Sequence, residues 1–109
     1  MYDQQYGEEI DMKYTVNEIR NIVSPIAQKH GVQSVSLFGS YSKGAAASDS
    51  DVDLKIEKGA LRSLFQICDF RLAVEDALGL SVDLVTTEAS DLSFLDSIAK
   101  DEVLLYRNA

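Results

Sequence analysis

Val35-Ser36-Leu37-Phe38-Gly39-Ser40, followed at Asp51 by Asp51-Val52-Asp53-Leu54-Lys55-Ile56, is the stretch on which the reading of this chain turns. The apolar run Val35 to Phe38 predicts a short buried strand that Gly39-Ser40 breaks. In the second segment Val52, Leu54 and Ile56 alternate with Asp51, Asp53 and Lys55, the period of a half-buried strand. Asp51 and Asp53 therefore share one face. Strand residues two apart lie about 6.5 Å from each other along the backbone, so both carboxylates can approach one divalent ion or a close pair. Oxygen-only donors suit magnesium, which also accepts substrate phosphates as ligands. Gly39-Ser40 complements them: glycine lets backbone amides come close to a phosphate, serine adds a hydroxyl, and a helical turn after it would aim its N-terminus at the anion.

Working outward, the small residues between Ser40 and Asp51 (Ser42, Gly44, Ala45, Ala46, Ala47, Ser48) suit a helical turn and then a loop. Upstream, Thr15-Val16-Asn17-Glu18 has the form of a capping box and predicts a helix from near Val16. Val16, Ile19, Ile22, Val23 and Ile26 give it an apolar face, Pro25 is expected to kink rather than end it, and Gly31 to stop it. His30, the only histidine, complements the helix dipole in the last turn. Downstream, a helix is expected over 60–78, with Leu61, Leu64, Phe65, Cys68 and Leu72 on its buried face and Ile67, Val74 and Leu78 widening it. Phe65 and Phe70 read as core, with Phe70 open to a role at a subunit contact. A strand over 80–85 places Asp83 between Val82 and Leu84, where a carboxylate needs a partner or a solvent-facing task. Thr87 or Ser90 caps a third helix burying Leu92, Leu95, Ile98 and Ala99, and a strand over 102–106 closes the chain.

Composition bounds the function. The 109 residues suffice for one domain. A net charge of −8 argues against direct nucleic-acid binding and for a basic protein partner. The single cysteine, Cys68, reads as a buried free thiol in a reducing compartment, hence a cytoplasmic protein. No apolar run approaches the roughly eighteen residues of a membrane span. Residues 1–13 are polar and aperiodic and read as a flexible arm, in which Tyr2 and Tyr6 have no assigned task.

Gly-Ser, ten residues, then Asp-x-Asp resembles the signature of the DNA polymerase β-like nucleotidyltransferases. Leu37 to Gly44 with Ser48 to Leu54 looks like the minimal nucleotidyltransferase (MNT) branch, commonly the antitoxin of HEPN/MNT toxin–antitoxin pairs. The resemblance implies an α/β domain over 14–109, a mixed sheet flanked by helices. It also implies transfer of AMP from ATP to a hydroxyl, with Asp51, Asp53 and Asp83 as catalytic metal ligands for two magnesium ions. Gly39, Ser40 and Lys43 would contact the triphosphate; Lys43 departs from the arginine usual in the family and lacks its bidentate fork. The implied partner is a HEPN-domain ribonuclease toxin, adenylylated on a tyrosine and so neutralised. Two other readings compete: a non-catalytic antitoxin that masks a basic toxin, and a nucleotidyltransferase of small molecules, for which the sequence shows no acceptor pocket.

Overall fold

The protein, represented by a computed structural model, is described over residues 12–109; the arm read over 1–13, with Tyr2 and Tyr6, lies outside the described residues except for its last two. The elements are α1 (Val16–His30), β1 (Ser34–Phe38), α2 (Gly39–Ser42), β2 (Val52–Glu57), α3 (Leu64–Leu78), β3 (Val82–Thr86), α4 (Leu92–Ala99) and β4 (Val103–Arg107). The strands form a mixed sheet in the order β3-β2-β1-β4. β1 runs antiparallel to both β2 and β4, whereas β2 and β3 are parallel. A parallel pair needs a crossover, and α3 supplies it.

Local chemistry sets the helix ends. Glu18 N donates to Thr15 Oγ1 at 3.1 Å and Thr15 N to Glu18 Oε1 at 2.8 Å, which completes the expected capping box of α1. The helix runs through Pro25 and ends where Gly31 takes a left-handed conformation (φ 76°). Its buried residues Ile19, Val23 and Ala27 meet Val35 and Leu37 of β1, Val52, Leu54 and Ile56 of β2, and Phe70, Val74 and Leu78 of α3 in one core. β1 and β2 are in register, Val35 opposite Ile56 and Leu37 opposite Leu54, so these apolar side chains share one face of the sheet. The other face carries Ser34, Ser36 and Phe38 opposite Glu57, Lys55 and Asp53.

Two helices differ from expectation. α3 starts at Leu64, not Ala60, because Ser63 caps it: Gln66 N donates to Ser63 Oγ at 3.2 Å and Ser63 N to Gln66 Oε1 at 3.3 Å. It buries Phe70, Val74 and Leu78, whereas Leu64, Phe65 and Leu72 are 74, 85 and 52% exposed and Cys68 is only half-buried. Apolar residues surround so much of this helix that periodicity allows two faces, and packing on α1 selects the one holding Phe70. Phe70 is thus core, edge-on to His30 at 5.7 Å, and Phe65 is not. α4 is capped by Asp91, whose carboxylate accepts from Phe94 N at 2.8 Å, not by Thr87 or Ser90. None of its residues is buried: Leu92 is 82% exposed, and Phe94 touches only the edge of Phe38 among the aromatic rings described.

Candidate active site

The site begins where β1 leaves the sheet. Phe38 is the strand partner of Asp53, so the turn after Phe38 is set directly against the start of β2. Gly39 has φ 76°, and a Cβ there would run into the Asp53 carboxylate. Two independent constraints therefore require glycine, a left-handed backbone and a neighbouring side chain. The following turn, α2, is closed by Lys43 N and Ser42 Oγ donating to Gly39 O at 3.2 and 2.9 Å. Tyr41, 1% exposed, roots it in the core. Phe38, at the N-cap, offers no side-chain acceptor, which leaves the first amides of α2 without a side-chain partner.

Of the three predicted aspartates, Asp53 lies against this turn, and Asp83 and Asp51 neighbour Asp53. Asp53 begins the polar row of β2, Asp83 is its register partner on the parallel strand β3, and exposed Asp51 precedes β2. Adjacent strands lie about 4.8 Å apart, so Asp53 and Asp83 emerge side by side from one face. Partial burial holds the Asp53 carboxyl above its usual range, and the charges of Asp83 and then Asp51 push it further in the same direction. Asp53 thus feels both neighbours electrostatically. Among the described residues no three acidic, histidine or cysteine side chains already converge on a single point. The donor chemistry nevertheless fits a hard cation: all three groups offer oxygen, and their repulsion calls for positive charge.

The remaining predicted residues are less committed. Ser40 is half-buried on α2. Lys43 is exposed and faces Asp101 at 3.9 Å, a long surface pair that contributes little. One supporting residue escaped sequence reading. Glu75 of α3 accepts from Arg71 Nη1 at 3.0 Å and from Val82 N at 2.8 Å, tying the helix to the first residue of β3 beside Asp83. The spacing of Arg71 and Glu75 signals a helical ion pair, but the bond to the Val82 amide has no local signature.

A glycine turn locked against an acidic strand start, with a second aspartate on the parallel neighbour, is the framework of a nucleotide-handling α/β domain. Residues 20–109 match the model of the family described as "Polymerase beta, Nucleotidyltransferase", and the chain belongs to that family. A "putative protein adenylyltransferase" of Methanocaldococcus jannaschii is 34% identical over 89 residues, covering 82% of this chain and 90% of that protein. Protein adenylyltransferase MntA of Thermococcus cleftensis is 30% identical over 93 residues, covering 82% and 94%. Among solved structures, a chain of a toxin–antitoxin crystal structure with AMP-PNP matches with TM-score 0.71 at 21% identity, over 82% of this chain and 73% of that one. A chain of the complex between a tri-AMPylated Shewanella oneidensis HEPN toxin and its MNT antitoxin matches with TM-score 0.67 at 18% identity, over 86% and 74%. These two likenesses show the mixed-sheet nucleotidyltransferase fold. Among the described residues no helix is long and apolar enough to cross a membrane.

Proposed function

We propose that this chain is a cytoplasmic protein adenylyltransferase, an antitoxin that transfers AMP from ATP to a tyrosine of a HEPN-domain ribonuclease toxin. The observation that carries the reading is the placement of Asp53, flanked across the strands by Gly39 on one side and Asp83 on the other. Support for the acceptor comes from the relative named protein adenylyltransferase MntA and from the solved fold neighbour in complex with a tri-AMPylated toxin.

In this reading Asp51, Asp53 and Asp83 hold magnesium, two ions by family resemblance, which when bound neutralises triphosphate charge and acidifies the incoming hydroxyl. Gly39 and the amides that open α2 grip the distal phosphates, with Ser40 adding its hydroxyl. Lys43 serves the same phosphates if it leaves Asp101. Asp83, on the edge strand, faces the acceptor and takes the proton of the tyrosine hydroxyl. The bond from that oxygen to the α-phosphorus forms as the bond to the β-phosphate bridging oxygen breaks, and pyrophosphate leaves. The chain contributes mainly position and charge complementarity. Added phosphate charge and bulk on the toxin would then repel and obstruct RNA.

Intact-mass measurement tests this directly. After incubation with ATP and magnesium, the partner toxin should gain mass in steps of one AMP, and the gain should be absent with Asp53→Asn. A toxin whose mass never changes, yet is neutralised equally by wild type and Asp53→Asn, would replace catalysis with masking by binding.

A further inference from the structure

Leu92, Phe94, Leu95 and Ile98 make α4 an apolar helix, yet none of these residues is buried or joins the core. Leu92 is 82% exposed and Phe94 37%. A helix of eight residues is too short to persist by itself in water. Its visible anchors are the Asp91 cap and the edge-on contact of Phe94 with Phe38, ring centroids 6.1 Å apart. Its place is nevertheless defined. Phe38 opens the turn α2 and pairs with Asp53, and Lys43, which closes that turn, faces Asp101 just beyond α4 at 3.9 Å. The segment 94–101 therefore flanks the Gly39 turn at both ends, on the side of the sheet that carries Asp53.

The charges around this helix narrow the class of partner. Glu88, Asp91, Asp96 and Asp101 are all exposed, against Lys100 as the one cation of residues 88–101, and exposed Asp51 and Asp83 continue the same sign beside Asp53. Apolar side chains ringed by carboxylates have the anatomy of a protein interface, with an apolar centre and a polar rim. A second copy of this chain would bring the same negative rim against it, and RNA or an anionic lipid surface would be repelled likewise. A cationic protein surface is the complementary one. The substrate in the reading above is a ribonuclease, which holds RNA phosphates with lysine and arginine and so carries that charge. Docking at α4 also leaves the substrate beside the reaction centre, since Phe94 touches the strand partner of Asp53. α3 exposes Leu64, Phe65 and Leu72 as well, but it packs on the other face of the sheet, away from Asp53.

Resting on the adenylyl-transfer reading, we propose that the open side of α4, centred on Leu92 and Phe94 and rimmed by Asp91 and Asp96, is the docking surface for the cationic face of the ribonuclease toxin. Apolar side chains of the toxin cover Leu92 and Phe94, its lysines and arginines meet the carboxylates, and its acceptor hydroxyl is held near Asp53 and Asp83. α4 thus contributes little to the free domain and much to the complex.

Titration calorimetry with the purified toxin, in the absence of ATP, tests it. Leu92→Ser and Asp96→Lys change exposed side chains and should leave the fold intact; Phe65→Ser, on the exposed side of α3, is the control. Leu92→Ser should weaken toxin binding by about tenfold. Asp96→Lys should weaken it by about threefold or more at low salt, the difference from wild type shrinking as salt is raised. The control should bind as wild type does. All three should keep the rise in melting temperature that ATP and magnesium give the wild type. Toxin affinity unchanged in both α4 variants, or a loss confined to the α3 control, overturns the proposal. So does a lost melting shift with toxin affinity intact, which would give this face to the nucleotide. If wild type binds the toxin through α4 yet never changes its mass, the transfer reading fails and the docking surface stands; if wild type binds no toxin, both fall.

Discussion

The two faces of β2 come from the same six residues and do opposite work. Val52, Leu54 and Ile56 are fully buried against α1 and α3, whereas Asp53, Lys55 and Glu57 alternate with them on the open face, each partly exposed. β1 repeats the division, Val35 and Leu37 beneath, Ser34 and Ser36 above. The period of two in a strand makes the separation strict, since neighbouring residues cannot exchange faces without shifting register. Stability should therefore reside on one face and chemistry on the other, and single substitutions should separate them.

The largest effect belongs to the covered face. Leu54→Ala should destabilise the fold by about 2–5 kcal/mol, because a fully buried leucine leaves a cavity its strand-bound neighbours cannot fill. Urea unfolding measures it. A loss below about 1 kcal/mol would mean that the face under the helices is loosely packed and the contrast between faces overstated.

Next comes the open face. Asp83→Asn should lower AMP transfer by about 10²-fold or more while leaving nucleotide binding detectable, because Asp51, Asp53 and the Gly39 turn still hold the triphosphate. Thermal melts should show no loss of stability, since Asp83 is exposed and its removal relieves repulsion on Asp53. Transfer at the wild-type rate would remove Asp83 from the site.

Gly39→Ala tests the join between the faces. A left-handed backbone costs an alanine about 1–2 kcal/mol, and the new Cβ displaces the Asp53 carboxylate. Modest destabilisation should thus accompany loss of the melting shift with ATP and magnesium. Retention of the full shift would show that the turn can move without disturbing Asp53.

How legible this arrangement is in the sequence differs by element. The alternation from Val52 to Ile56, the capping box at Thr15 and the stop at Gly31 are local signals, and each is found as expected. Asp83 is legible as an aspartate in a strand, but its pairing with Asp53 depends on the parallel crossover through α3. Gly39 reads as a phosphate turn, whereas its contact with the Asp53 carboxylate is tertiary. In burial, α3 and α4 differ from expectation for one physical reason: an apolar stripe reports that a helix can be covered, not that this chain covers it. Leu64, Phe65, Leu72 and Leu92 remain open. The open face also holds a cleft of about 230 Å³ over Ser34 and Ser36, lined from β2 and β4 as well; it has no sequence signature, because it is a space left by small residues between strands far apart in the chain.

The smallest expected effect concerns pH, and it isolates the strain on the open face. Folding makes Asp53 bind its proton more tightly, through partial burial first and the Asp83 and Asp51 charges next. The folded pKa is therefore above the ordinary value of 3.8. Stability from this group is fully present below that value and declines as pH rises towards the raised one, after which the ionised carboxylate is a constant penalty. Asp53→Asn lacks the penalty. Without metal, its melting temperature should equal that of wild type at the acid end of this window and slightly exceed it at neutral pH, the gain staying small because solvent screens a partly exposed group. Magnesium with ATP should reverse the order by stabilising only the wild type. Melting curves that run parallel across the whole pH range would show that the three carboxylates do not strain the folded state. A mutant less stable than wild type at neutral pH would instead place a stabilising partner beside Asp53.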